Sequence, residues 1–197
     1  MSKETISLAV LYKNLIGRLK ELIIRPQKEW RVIFSEPKSI NEVLAQFSLP
    51  LIGFYTSAVF VGYLISHQQL DFESALKEAV FTFSSSFFAL YVCYYVLGKV
   101  LQLFKHDFEK SQLFQLLAYS SSVLYLTGSF IALIPEAIII GSVVNLYLIY
   151  LVWVAVSTLK KVSKEIHIWY TALFGLAILF TPSLIHRLFV FISNLSV

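Results

Sequence analysis

The most constraining feature of the sequence is a stretch of 46 residues, from Phe114 to Leu159, that carries one formal charge, at Glu136. A single helix of this length would overshoot a hydrocarbon core, which is about 30 Å thick. Pro135-Glu136 divides the stretch, because proline is tolerated at a first helical position and a carboxylate suits a helix N-terminus. The stretch therefore predicts two membrane-spanning helices joined by a tight turn at Pro135 and Glu136.

Three further segments are long enough to span a membrane, which takes roughly 20 apolar residues. The five predicted spans cover about residues 46–66, 79–103, 114–134, 136–159 and 168–192. The last span contains Pro182, so it either kinks there or ends there and leaves the residues from Leu184 onward in the membrane interface. The predicted fold class is all-α, a polytopic membrane helical bundle of five transmembrane helices in residues 41–197. A cytosolic amphipathic helix and an elbow, in residues 1–40, precede it.

The composition excludes several other classes of protein. Hydrophobic residues make up 57% of the chain and charged residues 14%, whereas a soluble domain carries about 25% charged residues. Cys93 is the only cysteine, so neither a disulfide within the chain nor a cysteine metal site is expected. The N-terminus has no signal-peptide pattern, so we expect membrane entry to depend on the internal spans.

The basic residues predict an orientation, because lysine and arginine near the ends of spans resist translocation. Of the 16 basic residues, 14 lie in the N-terminal segment or in the loops after spans two and four, and only Lys77 and Arg187 lie on the opposite side. This distribution predicts an integral membrane protein with a cytosolic N-terminus and its C-terminus outside. It also explains the net charge of +4 without a nucleic-acid partner.

An amphipathic helix is predicted before the first span. Its apolar residues recur at steps of three and four: Leu8, Leu11, Tyr12, Leu15, Ile16, Leu19, Leu22 and Ile23. Lysines on the polar face of such a helix are typical of a segment lying in a membrane interface. The alternative is a helix packed against the cytosolic ends of the spans, and the sequence favours neither.

An elbow is predicted between this helix and the first span. Pro26 disfavours helix at Arg25, so the amphipathic helix should end there, and Pro37 should impose a second break. Trp30 combines a large apolar ring with an N–H donor, which suits the bilayer interface. The elbow is a candidate surface for a partner or for anionic headgroups, and its alternative role is to aim the first span. Its residues are Arg25, Pro26, Glu29, Trp30, Glu36 and Pro37.

The spans show no pattern of a catalytic, cofactor or metal site. Ionisable residues deep in a membrane are usually functional, and the middle of each of the first four spans has none. No phosphate-binding loop, nucleophile elbow or metal-ligand spacing occurs. Polar residues within spans are expected to join helices, although they could instead line a path for a polar solute. Those singled out are Tyr119, Ser120, Asn145 and Tyr147.

Several short motifs follow one another in a characteristic order. They are Arg25-Pro26, Glu29-Trp30, Glu36-Pro37, Pro50, Ala118-Tyr119-Ser120, Ile134-Pro135, Leu146-Tyr147 and Tyr150-Leu151. In this order and spacing, the chain from Arg25 onward resembles bacterial members of the Yip domain family (Ypt/Rab-interacting proteins). The resemblance implies five spans, a cytosolic N-terminus and the bacterial inner membrane. The chain departs from the family in lacking a proline soon after Tyr119-Ser120. It also lacks the acidic, Gly-Pro-containing motif linked with Rab binding in eukaryotic relatives.

The resemblance implies a non-enzymatic membrane organiser or adaptor, because eukaryotic relatives are non-enzymatic factors in vesicle traffic and membrane shaping. The candidate partners are the lipid bilayer, especially anionic lipids, a membrane or cytosolic protein, and a second copy of the chain. No cofactor is expected. The alternative is a small channel or transporter, or a lipid-handling protein, with a serine- and tyrosine-lined path between spans two to four. A continuous hydrated cavity or a bound lipid among these spans would favour the alternative, and a dry, tightly packed bundle would favour the organiser.

Overall fold

The computed structural model describes residues 8–36, 38–66, 71–103, 108–159 and 163–195. These residues form seven helices and no strand: α1 Leu8–Ile24, α2 Pro26–Ser35, α3 Ile40–Ser66, α4 Phe72–Leu103, α5 Lys110–Leu133, α6 Pro135–Leu159 and α7 Lys164–Leu195. Helices α3 to α7 are each long and apolar enough to cross a membrane. The predicted all-α bundle with five spans is therefore confirmed.

The helices extend further than the apolar runs that predicted them. Helix α4 begins at Phe72 rather than near residue 79, because its first turns carry charged side chains, such as Glu73 and Glu78, that an apolar run excludes. Helix α7 likewise begins at Lys164 and continues through Pro182 to Leu195. Of the two alternatives for the fifth span, the structure has the helix that continues past the proline.

The five spans surround a common interior. Helix α3 packs against α4 and α5, α4 packs against α7, and α7 packs against α6. We call the end at which α1 and α2 lie, where α4 and α6 end and α5 and α7 begin, the near end. The opposite end, where α3 ends, α4 begins and the turn at Pro135 lies, is the far end. The two ends differ in how densely they are packed.

Three spans have local irregularities. One π-helical turn, Leu44–Ser48, lies just before Pro50, whose ring would otherwise meet the carbonyl group four residues earlier. Helix α5 is interrupted at Ser121 and α6 at Leu146. The Ser121 hydroxyl donates to the Leu117 carbonyl at 2.8 Å, and such bonds to the preceding turn bend helices. The two interruptions divide α5 and α6 into near and far halves.

Glycine allows α3 and α5 to approach closely. A Cβ atom built on Gly62 would lie 1.9 Å from the carbonyl oxygen of Ala132, and one built on Gly128 would lie 2.6 Å from the ring of Tyr55. Small residues at such crossings are common in membrane bundles, where close packing drives association. The crossing holds α3 firmly against the far half of α5.

The apolar core lies mainly in the near half of the molecule. There α1 and α2 cover the spans, and the largest fully buried side chains include Trp30, Tyr119, Phe114 and Phe174. By contrast, the far half of α6 exposes most of its apolar side chains, for example Ile139 and Val143. The near end is thus densely packed, whereas the far end leaves space between its helices.

Candidate functional sites at the two ends of the bundle

Helices α1 and α2 form an N-terminal hairpin. Arg25 separates them with non-helical backbone angles, φ −135° and ψ 57°, and Pro26 occupies the first position of α2. The Arg25 N–H still donates to the Glu21 carbonyl at 2.7 Å, so α1 closes its last turn before the chain reverses. The predicted end of the amphipathic helix at Arg25 is confirmed, while Pro37 lies outside the described residues.

Arg18 holds the hairpin together through an ionic cluster. Its Nη1 lies 2.6 Å from Oε1 of Glu29, and its Nη2 lies 2.5 Å from Oε1 of Glu36. Lys38 adds its Nζ at 3.1 Å from the other carboxylate oxygen of Glu36. Two cations therefore balance two carboxylates, which reduces the cost of removing these charges from water.

The cluster shifts the pKa values of Glu36 and Arg18. Partial burial acts to raise the pKa of Glu36, but hydrogen bonds and attraction from Arg18 and Lys38 outweigh it, so the pKa lies below its usual value. Desolvation likewise opposes the charge of Arg18, yet Glu36, Tyr119 and Glu29 raise the pKa of the guanidinium. The pairing therefore favours the charged forms of Glu36 and Arg18.

An aromatic contact anchors the hairpin to the spans. Trp30 is fully buried and stacks on Phe34 at 5.1 Å between ring centroids, while its edge meets Tyr119 at 6.3 Å. Tyr119 also packs on Phe47 at 4.3 Å, and the Arg18 guanidinium lies 6.0 Å from its ring centre. Trp30 therefore faces protein, not lipid, and connects α2 to α3 and α5.

The elbow residues divide into an internal and an external set. Pro26, Glu29 and Trp30 are buried, and Glu36 is half-buried in the ionic cluster. Arg25 is exposed, as are Lys28 and Arg31 on the same hairpin. Any surface that the elbow offers to a membrane or to a partner is accordingly basic.

Helix α1 has three faces. Leu15, Leu19 and Leu22 are buried against the bundle. Next to them is an apolar stripe: Tyr12, Ile16 and Ile23 lie within about 40° of one another at 100° per residue, and all three are exposed. The remaining face carries further exposed residues, among them Lys13 and Lys20. The helix thus packs on the spans with one face and presents an apolar stripe to its surroundings with the next. The packed helix and the interfacial helix, the two alternatives from the sequence, each describe one face of α1.

A cavity of about 540 Å³ opens beside the hairpin. We call it the near cavity. Its lining is rich in charged and polar side chains and includes Lys13, Arg18, Glu29, Lys38, Gln46 and Tyr119. Of the intramembrane polar residues singled out from the sequence, only Tyr119 lies here.

The other three intramembrane polar residues lie apart from one another. Asn145 accepts a hydrogen bond from the Thr127 hydroxyl, which joins α6 to α5. The Tyr147 hydroxyl donates to the Ile23 carbonyl at 2.8 Å, so it ties α6 to the last turn of α1. Ser120 is fully buried, and its hydroxyl has no hydrogen-bond partner among the described residues. Two of the three thus join helices, and the four do not form one site.

A second cavity, the far cavity, has a volume of about 680 Å³ and is lined by all five spans. Its inner wall carries Ser85, Ser86, Tyr125 and Asn145. It shares no lining residue with the near cavity. Beyond Tyr125 the interior narrows to a void of about 10 Å³, roughly the space of one water molecule.

An acid and a base face each other in the lining of the far cavity. Nε2 of His186 on α7 lies 3.0 Å from Oε1 of Glu78 on α4, and both side chains are partly exposed. The ring of His186 also meets Phe81 edge-on at 6.2 Å. Arg187 lines the same cavity. This pair could not be predicted from apolar runs, because they place Glu78 just outside the second span.

A serine and a histidine also meet at the near end. The Ser157 hydroxyl lies 2.7 Å from Nε2 of His167 and donates to the Trp153 carbonyl at 2.8 Å. Nucleophilic catalysis needs a third group that orients the histidine, and Nδ1 of His167 has no hydrogen-bond partner in the described ranges. The pair is best explained as a contact between α6 and α7. Across the described chain, no three His, Cys, Asp or Glu side chains group as metal ligands.

The turn between α5 and α6 is at the far end. Ile134 leaves the helical conformation, and a single 3₁₀ turn, Pro135–Ala137, forms the start of α6. Pro135 and Glu136 are exposed. The turn therefore connects two spans, as the sequence predicted for these residues, and its carboxylate faces outward.

Comparison with known proteins gives one match. The family model of the Yip1 domain matches residues 20–185, which include the end of α1, the elbow and most of the five spans. No curated protein and no solved structure gives a significant match. The family match covers more than half of the chain and agrees with the resemblance seen in the sequence motifs.

Proposed function

Because the chain belongs to the Yip1 domain family of integral membrane proteins, we propose that it is a non-enzymatic membrane organiser that acts on one leaflet through its N-terminal hairpin. In this proposal the near end faces the cytosol, as the basic residues predict, and the membrane is the bacterial inner membrane. The hairpin lies in the cytosolic interface beside the spans.

The exposed apolar stripe of α1 carries the proposal. Tyr12, Ile16 and Ile23 are exposed on a helix whose neighbouring face is buried against the bundle. A helix with an apolar stripe and flanking lysines inserts into the boundary between headgroups and acyl chains. Since Arg18 and Trp30 fasten the hairpin, insertion of the stripe would displace lipid on one side of the bilayer at a fixed distance from the spans.

Charge supports the same placement. Arg25, Lys28 and Arg31 are exposed on the hairpin, and each basic residue near an anionic surface contributes about 1 kcal/mol. Glu29 and Glu36, which would oppose this attraction, are neutralised by Arg18 and Lys38. The hairpin therefore presents a net positive surface to anionic headgroups. An adaptor role would use this basic surface to bind an acidic protein.

A small channel or transporter, or a lipid-handling protein, is the second candidate. The far cavity favours it, because Ser85, Ser86 and Tyr125 lie in its wall. The narrowing beyond Tyr125 favours lipid handling at one end of the bundle over a path through it. This second role concerns the far end and does not depend on the hairpin.

The organiser proposal is tested by curvature sorting. The fluorescently labelled full chain is reconstituted into vesicles of phosphatidylglycerol and phosphatidylethanolamine with a broad range of sizes. We expect the density of protein per membrane area to rise as vesicles become smaller, because an inserted stripe is best accommodated where headgroups are spread apart. The double variant Ile16→Asn/Ile23→Asn should lose this preference.

The matched control is Val10→Asn/Ile24→Asn. These residues are apolar and exposed on the same helix, but they lie about 80° or more from the stripe at 100° per residue. The control should sort as the unmodified chain does. Equal sorting of the stripe variant and the unmodified chain would show that the stripe does not act on lipid, and the organiser proposal would fail.

A further inference from the structure

We propose that the far cavity binds a glycerophospholipid of the far leaflet, with its phosphate against Arg187 and His186 and an acyl chain leaving between α6 and α7. The proposal rests on the shape of the far end, the depth of its charged groups and the chemistry of the cavity wall. It is independent of the hairpin.

The far half of the bundle is open on one side. The far half of α6, Ile138–Asn145, packs against α5 but makes scarcely any contact with α7, and the far half of α5 likewise makes scarcely any contact with α7. Among the described residues, α4 is the helix that packs closely against α7 at the far end. The cavity lined by these helices therefore opens sideways, towards the lipid, between α6 and α7.

The walls of this opening suit acyl chains. Ile139 on α6 is 75% exposed, and Leu124 and Leu179 line the cavity behind it. An acyl chain placed here would remain in contact with apolar side chains along its path. Its free end would rejoin the bilayer, so the cavity need only hold the headgroup, the glycerol and the start of a chain.

The charged groups of the cavity lie at headgroup depth. Helix α4 has 32 residues, about 48 Å at 1.5 Å per residue, and exceeds a 30 Å hydrocarbon core by about 9 Å at each end when centred. Glu78 is six residues from the start of α4, about 9 Å along the helix, and His186 contacts it across the cavity. The acid, the imidazole and Arg187 are therefore close to the level of lipid phosphates.

The charged residues of the cavity favour an anionic ligand group such as a phosphate. Glu78 is engaged by His186 at 3.0 Å, whereas Arg187 has no ion-pair partner among the described residues. Guanidinium groups bind phosphate through paired, charge-assisted hydrogen bonds. An unneutralised arginine beside an apolar opening fits an anionic group attached to a hydrocarbon chain, which is what a phospholipid supplies.

Donors deeper in the cavity fit the ester region of the same ligand. The Tyr55 hydroxyl has no hydrogen-bond partner in the described structure, and Thr82 lines the cavity one turn further into the membrane than Glu78. Ester carbonyls accept hydrogen bonds from such hydroxyls. A volume of about 680 Å³ lies within the usual range for ligand pockets, about 300–1,000 Å³.

The test uses a photoactivatable phosphatidylethanolamine with a diazirine in one acyl chain. The full chain is placed in nanodiscs containing this probe, irradiated and digested, and the labelled peptides are identified. We expect labelling of peptides from α6 and α7 around Asn145 and Ser183. Arg187→Gln should lower this labelling at least about fivefold, the effect of losing about 1 kcal/mol of headgroup attraction.

Two adjacent residues provide matched variants for the shape of the site. Ser183 lines the cavity, whereas Leu184 points away from it. Ser183→Trp should fill the opening and abolish the labelling, and Leu184→Trp should leave it unchanged. Thermal unfolding of both variants shows that they are folded. Equal labelling of Ser183→Trp and Leu184→Trp would overturn the proposal.

A competition experiment distinguishes binding of the whole lipid from binding of its phosphate group alone. Excess inorganic phosphate should not displace the probe, because it lacks the acyl chain, whereas excess unlabelled phosphatidylethanolamine should. Displacement by phosphate alone would identify a free-anion site and refute the lipid site. Ile16→Asn/Ile23→Asn should leave labelling unchanged, so failure of the hairpin proposal and failure of this one are distinguishable.

Discussion

At the scale of single residues, Arg18 connects parts of the chain that are far apart in sequence. It pairs with Glu29 and Glu36, which follow 11 and 18 residues later, and it lies over the ring of Tyr119 on α5. The pattern of apolar residues in α1 places Arg18 only at the edge of a helix face. Its partners lie close to it only because the chain reverses at Arg25, so the ionic cluster depends on the tertiary fold.

We expect Arg18→Met to destabilise the protein by about 3 kcal/mol, because the loss of one partner of a largely buried pair leaves Glu29 uncompensated. Thermal unfolding in one detergent, followed by circular dichroism, measures this. Arg31→Met is the control, since Arg31 is exposed, and it should shift the midpoint little.

The pH dependence provides a second readout of the same substitution. The pKa of Glu36 is lowered in the folded protein, so its contribution to stability is complete above its ordinary value of about 4.5 and is lost as the pH falls through the folded value. Arg18→Met should weaken this loss of stability on acidification. An unchanged midpoint and an unchanged acid profile would show that Arg18 does not fasten the hairpin.

At the scale of elements, two runs of three serines lie within spans, Ser84-Ser85-Ser86 in α4 and Ser120-Ser121-Ser122 in α5. Their hydrogen bonds stay mostly within their own helices: Ser85 donates to the Thr82 carbonyl at 3.1 Å and Ser122 to the Tyr119 carbonyl at 2.6 Å. From the sequence, polar residues within spans were expected to join helices. In the structure, the bond between Thr127 and Asn145 performs that role, while Ser121 and Ser122 accompany the interruption of α5.

The crossing of α3 and α5 provides a sharp test of packing. Gly62→Ala would place a methyl group 1.9 Å from the Ala132 carbonyl oxygen, so the helices must separate, and we expect a loss of 1–3 kcal/mol, about the cost of overpacking a core. Gly53→Ala on the same helix is the control, because nothing lies within 4 Å of its new methyl group. The control should be neutral or slightly stabilising, since alanine favours helix over glycine by about 1 kcal/mol.

Thermal unfolding of the two variants in the same detergent gives the comparison. A Gly62→Ala protein as stable as the Gly53→Ala protein would mean that α3 and α5 are not in close contact. The ionic cluster of Arg18 lies at the other end of the bundle, so neither glycine substitution should change its ion pairs.

At the scale of the whole molecule, the two ends of the bundle differ in a way that matches the two proposals. In the near half Trp30 of the hairpin is buried together with Phe114 and Tyr119, and its edge contact with Tyr119 holds the hairpin on the spans. The far half leaves a cavity that opens sideways between α6 and α7. A rigid near end and an open far end would allow the protein to act on one leaflet and to bind lipid from the other.

The orientation of the bundle can be measured with single cysteines. In a Cys93→Ala background, single cysteines replace one exposed residue at a time. Lys110 and Lys164 are at the near end, and Glu73 is at the far end. A membrane-impermeant maleimide added to intact cells should label Glu73→Cys only. The two near-end cysteines should react after the membrane is opened to the reagent. Labelling of Lys164→Cys in intact cells would contradict a cytosolic near end.

The sequence by itself determined the fold class and the number of spans, because lipid leaves a chain of this composition few ways to satisfy its backbone other than helices. It also determined the end of α1 at Arg25 and the turn at Pro135, since proline acts on its immediate neighbours. Only the tertiary structure decided that Trp30 and Glu29 face inward, that Arg18 pairs with Glu29, and that Glu78 meets His186. These contacts join residues on different helices, and their pairing depends on how the helices pack, which local patterns of apolar residues do not specify.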